Sequence, residues 1–404
     1  MISVEEALSR LLAPLKPLGA EQIPVSEAFG RVLAEDIVSR RTQPPWDVSA
    51  MDGYAVRAAD VASVPAKLKV IGAVPAGSGF EGTVGPGEAV RIFTGAPLAR
   101  GSDTIVIQED TDRDGDWVTV KEGAAKGTYV RPAGLDFATG DVGLRAGRRI
   151  TVRDIGLIAA MNRPWVMVRR RPRVAILPTG DEVVMPGDPV GANQIVSSNG
   201  LALGAFVLAA GGIPIQLGIA ADDAGSLQRL AEGARGADLL LTTGGASVGE
   251  HDLVRGALGD AGLALDFWQI AMRPGKPLMV GRFHETTMIG LPGNPVSSLV
   301  CAVLFAKPAL ERLLGLDATG AATVQARLAV PLGANDRRQD YLRATLSRAR
   351  DGTMEVTPFK KQDSSMLSLL ARADCLVIRK PHAPAIAAGE MVEIVDLASA
   401  PGLF

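Results

Sequence analysis

The order of apolar and polar positions divides the chain into stretches of different period. Residues 3–15 place Leu8, Leu11, Leu12 and Leu15 on one face, behind Ser3 and Glu6 at capping-box spacing. That pattern predicts a helix that begins at Ser3. A second helix is expected from Ser26 to about Ile37. The run TQPPWD (42–47) then reads as a rigid linker, because two prolines fix φ and remove two donors. From 54 to 145 the runs are short and bounded by Gly, Pro and Asp: KLKVIGAV, EAVRIFTG, TIVIQED and WVTVKEG. They predict a β-rich region. TVRDIGLIAAM (151–161) returns to helix, with Thr151 as N-cap.

Residues 171–315 alternate strand and helix. VAILPTG, IPIQLGIA, ADLLLTTGG and TMIGLPG read as strands. SSNGLALGAFVLAA, DDAGSLQRLAEGAR, HDLVRGALGD and the long NPVSSLVCAVLFAKPALERLLG read as helices. Such alternation predicts a parallel, doubly wound sheet. Beyond 321 the chain returns to short strands (ATVQARLAVPL, DYLRATLS, MEVTPF, CLVIRK, MVEIVDL), which suggest a small β-barrel or sandwich. The expected fold is therefore multidomain α/β. Its parts are a helical N-terminal segment (1–45 with 146–170), a β domain (46–145), a doubly wound α/β domain (171–320) and a C-terminal small β-barrel (321–404). A length of 404 residues suits two to four domains of ordinary size.

Composition narrows the function. Basic and acidic side chains number 42 and 44, so no overall positive field favours a nucleic acid. Cys301 and Cys375 are the only cysteines, and no two of the three histidines are close in sequence. A disulfide framework or a His/Cys zinc site is therefore not expected, and a reducing compartment is. The acidic start MISVEEALSR lacks the features of an export signal, so a cytoplasmic location is expected. The uncharged stretch 200–221 has the length of a membrane span. Gly211, Gly212 and Pro214 split it into a helix and a strand, and a buried α/β core gives the same hydropathy.

In an open parallel sheet, ligands bind beyond the carboxyl ends of the strands. Four turns fall at such ends: Thr179-Gly180-Asp181-Glu182, Asp222-Asp223, Gly244-Gly245 with Ser247 and Gly249, and Pro292-Gly293-Asn294-Pro295. Glycine lets backbone N–H groups approach an anion at a helix start. Asp181, Glu182, Asp222 and Asp252 would repel that anion unless a cation intervened. Oxygen ligands without His or Cys suit Mg²⁺, with Asp222 and Asp252 as its expected ligands. Arg273-Pro274-Gly275-Lys276 supplies fixed positive charge. Taken singly, each of these features also fits an ordinary helix cap or solvated turn. Gly245-Ala246-Ser247-Val248-Gly249 matches the nucleophile elbow of serine hydrolases as well, with His284 or His382 as the histidine it would need.

The strings PPWDVSAMDGYAV, RIFTGAP, VRPAGLD, PTGDEV, TTGGASVGEHD, RPGKP and GLPGNPVSS occur together and in this order. In this the chain resembles the MoeA family of molybdopterin molybdenumtransferases, which includes the E domain of gephyrin, over almost its whole length. The resemblance implies that molybdate is inserted into adenylated molybdopterin with release of AMP in the presence of Mg²⁺. It further implies a homodimer whose sites combine the doubly wound domain of one subunit with the β domain of the other. A molybdopterin adenylyltransferase and molybdoenzyme chaperones are the implied protein partners. No nucleic acid and no membrane are expected. Carried over by motif, the site residues are Asp52, Thr94, Arg131, Asp136, Glu182, Asp222, Asp252, Arg273, Lys276 and Ser364. Thr179, Gly180, Asp181, Gly244, Gly245, Ser247, Gly249, Pro292, Asn294 and Pro295 are the expected cofactor-binding positions. Relatives often carry lysine where this chain has Gln269 and Arg273. A scaffold without catalysis, as gephyrin's anchoring role implies, and the adenylyltransferase itself are the neighbouring readings. The first lacks the long linker or fused partner domain it would need, and the second would not need the β domains.

Overall fold

The computed structural model describes residues 1–75, 77–245 and 253–397. Ser247, Gly249 and Asp252 lie outside them. The chain forms two compact units. The first comprises residues 1–21, 30–34 and 168–404, and the second residues 22–29 and 35–167.

The first unit is organised by a six-stranded sheet. Its order is Ile213–Gln216, Arg173–Pro178, Leu239–Thr243, Thr286–Leu291, Met279–Phe283 and Leu263–Phe267. The first four strands run parallel, as expected. The last two are antiparallel additions, so the sheet is mixed rather than wholly parallel. Side chains alternate between faces. Val174, Ile176, Leu239 and Leu241 enter one core with helix Asn199–Ala209 and the helical run 295–313. Ala175, Leu177 and Leu240 enter the other, with Leu227, Ala231, Ala257 and Leu258 from helices Ala224–Ala231 and Leu253–Asp260. Each fully buried Leu or Ile contributes about 1.5–3 kcal/mol, so strands buried on both faces read as unbroken apolar runs. The parallel strands are doubly wound, and all their carboxyl ends share one edge.

The N-terminal helix Val4–Leu12 begins as expected, with the Glu6 N–H donating to Ser3 Oγ at 3.0 Å. Its buried face, Val4, Ala7 and Leu11, joins the first of these cores. The helix expected over 26–37 does not form. A single 3₁₀ turn spans Val25–Glu27, and Gly30 then takes φ +74°. A left-handed residue cannot continue a right-handed helix. The helical run from Pro295 contains a π-turn at Ala302–Ala306, just before Pro308, whose missing N–H interrupts the regular ladder. The apolar stretch 200–221 divides at Gly211, φ +95°. Among the described residues, no helix is long and apolar enough to cross a membrane.

At the C-terminus, strands Thr323–Leu328, Gln339–Arg348, Met354–Pro358, Cys375–Arg379 and Met391–Asp396 close on themselves. Gln339–Arg348 pairs with both Met354–Pro358 and Cys375–Arg379, and so completes a five-stranded barrel. Ala326, Leu328, Val356, Val377 and Ile394 fill it.

The second unit holds a curled six-stranded sheet. Its order is Thr104–Ile107, Gly53–Val56, Glu88–Ile92, Ala66–Val74, Trp117–Val120 and Thr111–Asp114. Both faces are covered, one around Tyr54, Val56 and Leu68, the other around Ala55, Val90 and Ile92. Helix Val152–Ala160 starts with a full capping box between Thr151 and Asp154.

Candidate functional site

Three of the turns expected to bind ligand meet at one edge of the mixed sheet and line a cavity of about 650 Å³. Thr179, Gly244, Gly245, Pro292, Asn294, Pro295 and Glu182 all contribute to its wall. Backbone approach explains the glycines. Gly244 has φ +96°, and a Cβ there would lie 2.4 Å from the Thr179 carbonyl oxygen. A Cβ on Gly293 would lie 3.4 Å from the Gly244 Cα. Adjacent turns thus touch through their backbones, which a larger residue would prevent. The Thr179 hydroxyl is buried and has no hydrogen-bond partner among the described residues.

Asp181 and Asp222 face each other across the turns. The Asp222 N–H donates to Asp181 Oδ1 at 2.8 Å, and the Asp181 N–H reaches Asp222 Oδ2 at 3.4 Å. The Glu182 carboxylate folds back over Gly180, where a Cβ would meet Glu182 Oε2 at 2.5 Å. The described residues contain no group of three or more His, Cys, Asp or Glu side chains placed to hold a metal ion. The expected partner of Asp222, Asp252, lies outside them.

Ser364 is brought to this edge from a loop of the C-terminal region. Its hydroxyl accepts from Asn294 Nδ2 at 2.8 Å, and its carbonyl accepts from the Val296 N–H at 3.1 Å. The fully buried Arg343 holds that loop by donating to the Asp363 and Met366 carbonyls, on either side of Ser364. Lys276 is half-buried and precedes Pro277, which lines the cavity. Arg273 differs from expectation. Its guanidinium is already paired with Asp340 and Asp336 of the C-terminal region, which hold its pKa above the ordinary arginine value. Much of its charge is spent on the fold.

Sequence reasoning missed Asn199. Its Nδ2 donates to Thr243 Oγ1 at 2.9 Å and to the Gly293 carbonyl at 2.7 Å, so one amide ties two of the turns together. The polar triplet Ser197-Ser198-Asn199 ahead of an apolar helix was the available signal.

The second unit has a cavity of its own, of about 1010 Å³. Arg131 and Asp136 line it, on either side of a turn fixed to the proline segment. The Gly134 N–H donates to the Pro44 carbonyl, the Asp136 N–H to the Gln43 carbonyl, and the Ala133 N–H to Asp47 Oδ1. Asp52 and Thr94 stand beside Gly95, another wall residue. Thr94 donates to Asp52 Oδ1 twice, from its N–H at 2.7 Å and its hydroxyl at 2.8 Å. These bonds, with the nearby Arg91 charge, hold the Asp52 carboxyl below the usual aspartate range. Arg91 itself stacks on Phe93 and Tyr54 and donates to the Gly53 carbonyl.

A serine-hydrolase arrangement gains no support from His284. That residue precedes Thr286–Leu291, whose other end carries the cavity turn. Six strand residues separate the two by about 20 Å. Its ring instead meets Glu232 Oε1 at 3.2 Å.

Three family models match the chain: the MoeA N-terminal region (domain I and II) over residues 2–162, a probable molybdopterin-binding domain over 175–312, and the MoeA C-terminal region (domain IV) over 325–397. A molybdopterin molybdenumtransferase from Nostoc sp. is 36% identical over 388 residues, covering 93% of this chain and 88% of its own. Molybdopterin molybdenumtransferase 2 from Mycobacterium tuberculosis is 34% identical, covering 98% of this chain and 100% of its own. Two structures of the molybdopterin biosynthesis MoeA protein from Pyrococcus horikoshii match with TM-scores of 0.84 and 0.83. They are 32% and 29% identical, and the match covers 98% of this chain and 99% of theirs. Matched by these three models in order over residues 2–397 and by relatives of 34–36% identity over nearly its whole length, the chain belongs to the MoeA family of molybdopterin molybdenumtransferases, transferases of molybdenum cofactor biosynthesis.

Proposed function

We propose that this protein inserts molybdate into adenylated molybdopterin and releases AMP, with Mg²⁺ present, and that it works as a homodimer. The observation that carries the reading is the convergence of Pro178–Thr179, Thr243–Gly245 and Pro292–Pro295 on one cavity. Backbone N–H groups at these turns receive anionic oxygens that a wall of side chains would keep away. Glu182 accepts the proton of the water that attacks the adenylyl phosphorus. The phosphoanhydride P–O bond then breaks, so that the molybdopterin phosphate is the leaving group and AMP carries the water oxygen. The two dithiolene thiols displace one oxide of molybdate, which takes their protons and departs as water. Lys276 supplies positive charge, since Arg273 is largely committed to Asp340 and Asp336.

Asp181 and Asp222 are the described residues that would hold Mg²⁺. Each has one carboxylate oxygen occupied by the other's N–H, and two carboxylates suit an ion that completes its shell with water and substrate phosphate. Such an ion would neutralise the phosphate oxygens. Asp52, Thr94, Arg131 and Asp136 complete the site from the neighbouring subunit, with Asp52 ionised as an acceptor.

The test is AMP release from adenylated molybdopterin. It should require molybdate and Mg²⁺ together. AMP appearing at an equal rate without molybdate would overturn the assignment.

A further inference from the structure

The turn that carries Lys276 is held from two sides, and the proposed reaction uses neither hold. It closes on itself where the Ile270 N–H donates to the Lys276 carbonyl at 3.1 Å. Underneath lies Cys301, the buried last residue of helix Pro295–Cys301, whose first turn lines the glycine-walled cavity. Gly275 has φ +113°, and a Cβ there would meet Cys301 Sγ at 2.5 Å, so the turn rests directly on that helix. On the other side stands the barrel. Met272–Arg273 pairs parallel with Gln339–Asp340 at the start of strand Gln339–Arg348, and the Gln339 N–H donates to the Ala271 carbonyl at 2.9 Å. Asp340 is only 3% exposed, and its Oδ2 takes the Arg273 guanidinium. Its Oδ1 is buried with no hydrogen-bond partner among the described residues. Asp336, the other acid at Arg273, is exposed and shares its oxygen with Arg338.

A buried carboxylate that is only half satisfied adds little to the stability of a barrel. It does fix a direction, because a guanidinium fork bound to a buried acid cannot swing. Lys276 needs such a constraint. Its ammonium sits on a flexible four-carbon stem next to the wall residue Pro277, and it makes no ion pair among the described residues. We infer that Asp340 is a positioning residue for the oxyanion: through Arg273 it holds the 273–276 turn, so that Lys276 stands at the cavity wall while Arg273 itself is kept off the anion. The inference rests on the reading that a tetrahedral oxyanion enters this cavity. It makes Arg273 the link between the barrel and Lys276 rather than an anion ligand. It also gives the barrel a part in binding besides presenting Ser364. A lysine at 273 could not serve in the same way, because a point charge lacks the fork that engages Asp340 and Asp336 together.

The test is calorimetric titration of the full-length protein with molybdate, and with sulfate as a second tetrahedral dianion. Lys276→Met should weaken molybdate binding at least tenfold, and Asp340→Asn at least fivefold. The double variant should bind no more than twofold weaker than Lys276→Met alone, because a residue that acts only through Lys276 has nothing left to place once that side chain is gone. Arg273→Gln breaks the same link from its exposed end and should show the same loss with the same dependence on Lys276, so it carries the test should Asp340→Asn fail to fold. Losses that multiply in the double variants would overturn the inference, since they would mark direct anion contact by Arg273 or a general loosening of the fold. So would molybdate affinity unchanged in folded Asp340→Asn, or a parent protein that binds neither oxyanion. Sulfate binding with the same coupling, in a parent that does not take up molybdate, would retire the molybdate reading and leave the link from Asp340 to Lys276 standing.

Discussion

The two cavities are built on opposite principles. In the α/β unit the wall is backbone: glycines at positive φ, prolines, and amide or hydroxyl side chains spent on holding one turn to the next. In the β unit the wall is side chain: two arginines, an aspartate and an exposed tryptophan on turns that are themselves fixed. On the proposed reading the first selects by shape and tolerates no added atoms, whereas the second selects by charge, and its exposed side chains should be exchangeable without disturbing the fold. Substitutions should therefore separate cleanly, with losses of stability and activity together in one cavity and of activity alone in the other.

Gly244→Ala should give the largest effect. It adds strain at φ +96° and a contact 2.4 Å from the Thr179 carbonyl. Overpacking and left-handed strain each cost about 1–3 kcal/mol. Activity should fall at least a hundredfold and Tm should drop by several degrees. Gly218→Ala is the control, because Gly218 has φ +88° and open space around its Cα. It should lose stability and keep most of its activity. Equal losses of activity in the two variants would mean that strain, and not the close approach, governs the first cavity.

Arg131→Ala comes next. It should lower kcat/KM tenfold to a hundredfold with Tm within a degree or two of the parent. A large fall in Tm would break the contrast between the cavities. Asn199→Ala should fall between the two in stability and at or below Arg131→Ala in its effect on activity. Losing donors to Thr243 and Gly293 costs about 0.5–1.5 kcal/mol per bond, with a roughly tenfold loss of activity. Thermal unfolding and steady-state rates on one preparation check both.

The smallest effect concerns pH. The Thr94 bonds depress the Asp52 pKa, so the ionised form persists above that lowered value, and its contribution to stability and to the site is lost as pH falls through it. Thr94→Val removes the hydroxyl donor but keeps the N–H. The Asp52 pKa should rise toward the ordinary value, and the acid limb of the pH–rate profile should move to higher pH. A limb that stayed in place would show that another group sets it.

The ligand edge is legible in the sequence because three of the four parallel strands, Arg173–Pro178, Leu239–Thr243 and Thr286–Leu291, are runs buried on both faces that end abruptly in Gly, Asp or Pro. Val174–Leu177 and Leu239–Leu241 could be read this way without coordinates. Leu263–Phe267 and Met279–Phe283 were not read. Their alternation is broken by Asp266 and Gly281, and both pair antiparallel, Leu263–Phe267 as the edge strand and Met279–Phe283 next to it. The absent helix at 26–37 shows that apolar spacing at Val32, Leu33 and Ile37 does not outweigh one left-handed glycine. Asn199 stayed hidden because an Asn-Gly pair at a helix start looks like local capping. Trp46 stayed hidden because two prolines mark its segment as a linker, whereas they hold it at a cavity rim.

In the proposed homodimer the two kinds of wall meet between copies of the chain, and subunit complementation is the decisive experiment. Asp222→Ala should disable the α/β cavity and Asp52→Ala the β unit, so each variant alone should be nearly inactive. When the two are co-expressed and mixed dimers form, one site of each hybrid pairs two intact halves. Activity should return to about a quarter of the parent value for random pairing in a two-fold dimer. If the co-expressed mixture stays as inactive as its components although hybrids are present, each chain must build its site alone, and the account is contradicted.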